Sequence, residues 1–314
     1  MMLLGVVAQA MADTVLFPVI VSNPPAVTTI VSVTNQGPGN DHLKFTYSYK
    51  PAFASGLPNY SGECFNDFLV RATFVPDLVS FDAAGIFNGG FALFNDADAG
   101  SYGGAFNTLG TFPLRAYLLV SDSSAAGARV DVGSNSSLSG EAIIMDVISG
   151  SAWGYRALND TTREDYSFFP TPTGSIVNVI VPGAAQSKRF TFFDLDNWTT
   201  RFFVTPIGPD LAFNNLSSTI QLFQSNGTPG VEGRTGDVYS FTKSVMVVCT
   251  AGVDLRDLMD STSQAALATT GGWARIDVVA GAPALIYKLE YTFSSPYVPG
   301  RASNNNAFLL SDAD

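Results

Sequence analysis

The sequence predicts an all-β protein built as two tandem antiparallel β-sandwich modules. Three observations lead there. β-rich runs recur at roughly ten-residue spacing without helices between them, the pattern of a sandwich or barrel rather than a βαβ sheet. Turn clusters such as "NQGPGND", "GSNSSLSG" and "SNGTPG" separate the runs. The carboxylates are lopsided, 22 Asp against 5 Glu, beside 29 Gly and 17 Pro; Asp, Gly and Pro are turn residues, whereas Glu favours helix.

In chain order, residues 3–8 read as the end of a signal-peptide apolar region. Ala10-Met11-Ala12 fits the small-x-small cleavage rule, so residues 1–12 are expected to be a signal-peptide remnant and Asp13 the mature start. The opening strand comes next, carried by Val15, Leu16, Phe17, Val19, Ile20 and Val21. "TTIVSVTN" (28–35), "LKFTYSYK" (43–50), "LRAYLLVSD" (114–122), "EAIIMDVIS" (141–149) and "SIVNVIVP" (175–182) read as strands. So do "KRFTFFDL" (188–195), "STIQLFQS" (218–225), "VYSFTKSVMVVC" (238–249), "ARIDVVAG" (274–281) and "LIYKLEYTF" (285–293). "DLRDLMDSTSQAALAT" (254–269) is the only helix candidate of useful length. No other window approaches the ~20 apolar residues that a membrane-spanning helix needs.

An internal echo divides the chain. Asp-Val-(Ile/Val)-x-Gly occurs at Asp146–Gly150 and again at Asp277–Gly281. A Tyr-basic pair follows each, Tyr155-Arg156 and Tyr287-Lys288. Upstream, "LFPVIVSNPPAVTTIVSVTNQG" (16–37) parallels "FFVTPIGPDLAFNNLSSTIQLFQSNG" (202–227). Each half is expected to hold an opening strand, a Thr-rich strand, a central apolar strand and a closing hairpin. The expected modules are residues 13–196, with insertions at 51–110, and residues 197–314.

The stretches "LFPVIV…TTIVSVTN" and "GWARIDV…APALIYKL" resemble the Ig-like sandwich modules of uncharacterised secreted bacterial surface proteins. That resemblance covers about half of the chain and implies two Ig-like modules, an extracellular location and no particular activity. The first half departs from it, carrying "GEAIIMDV" where the family pattern has a Trp-Ala-Arg strand.

Composition narrows the chemistry. Net charge is −11, and charged residues make up 14% of the chain. Nucleic acid and anionic membrane surfaces both require a basic field, so both are excluded as partners. The single histidine, His42, lies in the turn "GPGNDHLK" and leaves no base for a Ser-His or Cys-His nucleophile. Phosphate-cradling loops and paired-cysteine metal motifs are missing. Glycoside hydrolysis needs only two carboxylates, for which Glu141, Glu232, Glu290, Asp146 and Asp277 are available. Asp146 and Asp277 start the repeated motif and are better explained as structural. The reading is a protein that is not an enzyme.

Three binding features remain. Asp96 and Asp98 in "FNDADAG", and Asp194 and Asp196 in "FDLDNW", are weak calcium candidates, oxygen ligands at alternate positions in a turn. No other cofactor is expected. Cys64 and Cys249 have two readings: one disulfide closing a very long loop, or a buried free thiol at Cys249 within "SVMVVC". Trp198, grouped with Tyr166 or Tyr239, is a candidate sugar-stacking residue. Trp153 and Trp273 fall in the repeated region and read as core packing, with a sugar platform as the alternative.

The functional expectation is a secreted structural or adhesive protein at a bacterial cell surface. Its partners would be copies of itself or other surface proteins, engaged through the opening strand donated by β-strand pairing into a filament or layer. The alternative is an extracellular carbohydrate-binding β-sandwich whose partners are glycans.

Overall fold

The computed structural model describes residues 14–23, 27–36, 42–51, 53–54, 57–73, 76–83, 114–128, 138–146, 151–158, 168–170, 178–180, 187–206 and 215–291. The fold is all-β, with antiparallel pairing in every sheet. The first sandwich uses β1 (Thr14–Ser22), β2 (Val27–Asn35), β3 (His42–Pro51), β4 (Phe53–Ala54), β5 (Leu57–Pro58), β6 (Phe65–Ala72), β7 (Asp77–Asp82), β8 (Leu114–Asp122), β9 (Leu138–Asp146) and β10 (Ser151–Arg156). One sheet has the order β1-β8-β3-β6 and the other β10-β9-β2-β7; β4 and β5 form a small ladder of their own. Val15, Phe17, Val31, Phe45, Phe81 and Leu118 fill the space between the two sheets.

A short ladder of β11 (Phe168–Pro170) and β12 (Asn178–Ile180) precedes the second sandwich. That sandwich uses β13 (Ser187–Phe192), β14 (Thr199–Pro206), β15 (Ser217–Phe223), β16 (Gly230–Gly233), β17 (Val238–Ser240), β18 (Ser244–Val248), β19 (Ala251–Asp254), β20 (Gly272–Gly281) and β21 (Ala284–Tyr291). In its larger sheet β20 is central, with β13 on one side and β15 and β16 in succession on the other. The smaller sheet has the order β19-β14-β21. Phe190, Phe202, Ile220, Leu222, Val231 and Ile276 pack between the two. The helix candidate resolves into a 3-10 turn, Leu255–Leu258, and α1 (Ser261–Ala266). Asp260 caps α1 by accepting the Ser263 N–H at 2.9 Å.

A third core stacks the sandwiches on one another. Leu16, Val19, Tyr117 and Leu119, from β1 and β8, meet Phe203, Leu285, Tyr287 and Leu289, from β14 and β21. The order of layers is therefore outer sheet, inner sheet, inner sheet, outer sheet. This explains a difference in sequence. Strands buried on both faces read as unbroken apolar runs, while strands with one wet face alternate. β1, "TVLFPVIVS", is buried at all nine positions, and β2, "VTTIVSVTN", alternates. The echo tyrosines Tyr155 and Tyr287 meet at this junction, with ring centroids 6.0 Å apart.

Two details depart from the sequence reading. β13 pairs with β20, so a boundary at residue 196 falls after the first strand of the second sandwich. β9 and β10 form a hairpin, but β20 and β21 lie in different sheets, so the second half does not close on a hairpin. Only β20 alternates in the β20–β21 pair, and β21 is buried throughout its described length. Sequence echo preserved the composition of the closing strand while its partner changed.

Covalent and polar contacts reinforce the junction. Cys64 of the first sandwich and Cys249 of the second form a disulfide spanning 185 residues of sequence. Cys249 adopts φ 64°, a left-handed turn conformation unusual for a residue with a Cβ. Beside it, the fully buried Lys50 donates to the carbonyls of Val248 at 2.6 Å and Tyr60 at 2.7 Å. Burial lowers the Lys50 pKa to about 7. A cavity of about 20 Å³ adjoins this lysine, lined in part by Arg115, Arg201 and Asp254.

Candidate functional site

The strand "GWARIDV" sorts its side chains by parity. Ala274 and Ile276 enter the core, and so Trp273, Arg275 and Asp277 face outward from the larger sheet of the second sandwich, each half-buried. Its neighbours extend the same face in register. Thr191, Trp273 and Glu232 form one row across β13, β20 and β16. Arg189, Arg275 and Phe223 form the next, and Ser187, Asp277 and Gln221 the third. Adjacent strands lie about 4.8 Å apart and alternate residues about 6.6 Å, so the three rows make one contiguous outward surface.

Hydrogen bonds hold this surface in shape. Arg275 donates to both carboxylate oxygens of Asp277, Nε to Oδ1 at 2.8 Å and Nη2 to Oδ2 at 2.7 Å. Asp277 thereby holds the Arg275 pKa above its ordinary value. The Arg275 guanidinium lies 5.4 Å from the Phe223 ring centroid. Glu232 accepts from the Ser225 N–H and hydroxyl, both at 2.7 Å. At the far end Phe193 stacks on Trp198 with centroids 4.7 Å apart, and Arg234 lies 5.7 Å from the Phe193 ring centroid. Four aromatic rings, three arginines, two carboxylates and an amide thus share one region of surface.

The structure separates other groups that the sequence suggested together. Trp198 stacks on Phe193 and not on Tyr239, which packs against the core; Tyr166 lies outside the described residues. Trp273 faces outward, correcting its reading as core packing, whereas Trp153 packs against the core that joins the sandwiches. Asp194 accepts the Asn197 N–H at 3.1 Å and its Nδ2 at 2.6 Å, closing a turn, while Asp196 points at Arg256, 4.0 Å away. These aspartates are committed to different partners, and no group of three or more metal-ligating side chains occurs among the described residues. Asp96 and Asp98 lie outside the described residues.

The carboxylates considered for glycoside hydrolysis are dispersed. Glu141 and Asp146 are on β9. Glu290 is buried, where it accepts from Lys288 Nζ at 2.8 Å and the Thr200 hydroxyl at 3.0 Å. Asp277 lies four residues along β20 from Trp273, the register partner of Glu232. That is about 13 Å of strand, beyond the ~5–10 Å separation such a pair requires.

The opening strand is engaged within its own chain on both edges. β1 pairs with β8 on one side. On its other side Leu16 exchanges two backbone hydrogen bonds with Leu158, each 2.8 Å. Val19 N–H donates to the Tyr155 hydroxyl at 3.2 Å, and that hydroxyl donates to the Val19 carbonyl at 2.6 Å. Thr29 Oγ1 serves Val21 in the same double role, at 2.9 Å each way. Thr205 donates to the Pro18 carbonyl at 3.1 Å. Val15, Leu16, Phe17, Val19, Ile20 and Val21 are all buried. The edge is sealed by side chains from three other strands and the segment after β10, none adjacent in sequence to the residues they cap.

No protein-family model matches the chain, and no match was found among curated proteins or among solved structures.

Proposed function

We propose that this chain is an exported binding protein that engages saccharide through the outer sheet of its second sandwich and performs no catalytic step. One observation carries the reading: Trp273 and Phe223 are half-exposed on one sheet face among Arg275, Asp277, Gln221, Arg189 and Glu232. The C–H face of a sugar ring packs on an aromatic ring, and its hydroxyls take bidentate partners from guanidinium, carboxylate and amide groups. Groups already held by the Arg275–Asp277 and Ser225–Glu232 bonds lose little freedom on binding. The Cys64–Cys249 disulfide supports an oxidising location outside the cytoplasm. No helix among the described residues is long and apolar enough to cross a membrane.

The test is a glycan array followed by calorimetry on the full chain. The native protein is expected to bind a defined set of glycans, Trp273→Ala to lose at least about tenfold in affinity, and Ile143→Ala on the opposite outer sheet to bind as the native does. An array with no binding, or equal binding by Trp273→Ala, overturns the reading.

A further inference from the structure

The two edges of the first inner sheet differ. β1 is sealed, as described above. β6 pairs with β3 on one side and with no described strand on the other. Its outward side carries the N–H and C=O groups of Asn66, Phe68, Val70 and Ala72, because the His42 carbonyl faces β8 and the Leu43↔Arg71 and Phe45↔Leu69 pairs face β3. Phe65 and Phe68 are 58% and 60% exposed. One of these outward groups has a local cap, the Phe68 N–H donating to Asp67 Oδ1 at 2.8 Å.

The sequence of β6 is complementary to itself. We propose that two copies join edge to edge through antiparallel β6 strands about a twofold axis at Leu69, extending the inner sheet across both. A twofold contact must be self-complementary, and this register satisfies that. It sets Asp67 opposite Arg71 of the second copy, twice. It also sets Phe68 opposite Val70 of the second copy, twice, burying the exposed ring. In this register the outward residues form the hydrogen-bonded pairs, Phe68 with Val70 and Asn66 with Ala72. The charged pairs fall at the closer, non-hydrogen-bonded positions, where cross-strand attraction is strongest. The Phe68 N–H passes from its own Asp67 to the carbonyl of Val70 in the second copy, which frees the carboxylate to meet the arginine. Arg71, also engaged within its own chain, lies at the rim of the sheet and reaches across from there. Leu69 keeps its place against the core.

Light scattering after size-exclusion chromatography tests this with the full chain over a hundredfold concentration range. The native protein is expected to dimerise. Asp67→Arg and Arg71→Asp should each weaken the dimer at least tenfold, and the double exchange should restore it. Val70→Pro removes an outward N–H without touching the β3 ladder, and should give a monomer whose circular dichroism matches the native protein. A native protein that is monomeric throughout overturns the proposal. So does a dimer indifferent to Val70→Pro, and so does one weakened by Val70→Pro but indifferent to both charge reversals.

Discussion

β1 and β2 are consecutive strands of nine residues with three Val each, yet they live in different surroundings. β2 has one face in the core of the first sandwich and the other turned to the outside; its burial alternates. β1 has a core on both faces and side-chain caps along its edge; nothing in it is exposed. The same contrast separates β21 from β20 in the second sandwich. Inner strands are spent on cohesion. Outer strands keep one face for something else, and in the second sandwich that face gathers aromatic, basic, acidic and amide side chains.

The largest effect that follows is a charge placed between the inner sheets. Leu119 is 1% exposed in the joining core, so Leu119→Asp buries an unpaired carboxylate and is expected to leave no cooperatively folded protein. Ile143→Asp, at a position 41% exposed on the first outer sheet, should change stability by about 0.5 kcal/mol or less. Urea unfolding followed by circular dichroism compares the two, and equal effects would erase the inner–outer distinction.

The next largest concerns the bond joining the layers. The 185-residue separation makes Cys64–Cys249 a long-loop cross-link, so Cys64→Ser with Cys249→Ser should cost about 2–5 kcal/mol in the same assay.

Lys50 gives a pH signature. Its folded pKa of about 7 lies below the ordinary value of 10.5, so between those limits the unfolded chain binds more protons. Stability therefore rises as pH increases from 7 toward 10.5, by up to roughly 5 kcal/mol across that window. Below pH 7 the contribution is flat. Lys50→Met should flatten the slope across that window, and an unchanged slope would relocate the titrating group.

The smallest effect tests the sealed edge. Thr29→Val strips both caps from Val21 and should cost about 1–3 kcal/mol. Light scattering on the same variant shows whether opening β1 creates new association.

Much of this organisation was legible in the sequence, for identifiable reasons. Period-2 and continuous apolar runs located the strands, and the lopsided Asp content marked the turns. The continuous runs at Val15–Val21 and in "LIYKLEY" also carried the signature of two-sided burial. That signature does not say which groups cap the strand's second edge, because most of them are remote. Tyr155, Leu158 and Thr205 lie more than a hundred residues from β1, and no local pattern announces them. The position of β13 was likewise hidden, since its partner β20 comes some eighty residues later.

The candidate face was half legible. Alternation in "GWARIDV" already places Trp273, Arg275 and Asp277 together, opposite Ala274 and Ile276. What alternation cannot supply is the cross-strand register that adds Phe223, Gln221, Glu232 and Arg189. Trp198 was found by composition, since it is one of three tryptophans, but its partner Phe193 comes from the local turn rather than from Tyr239.

Hydrogen exchange on the full chain, read at peptide resolution by mass spectrometry, tests the layered arrangement most directly. Amides of β1, β8, β14 and β21 should exchange together and last, through global unfolding alone, while amides of the exposed edge strand β17 exchange early. Rapid exchange in β1 or β14 comparable to that in β17 would contradict this arrangement, because the inner sheets would then not be packed against each other.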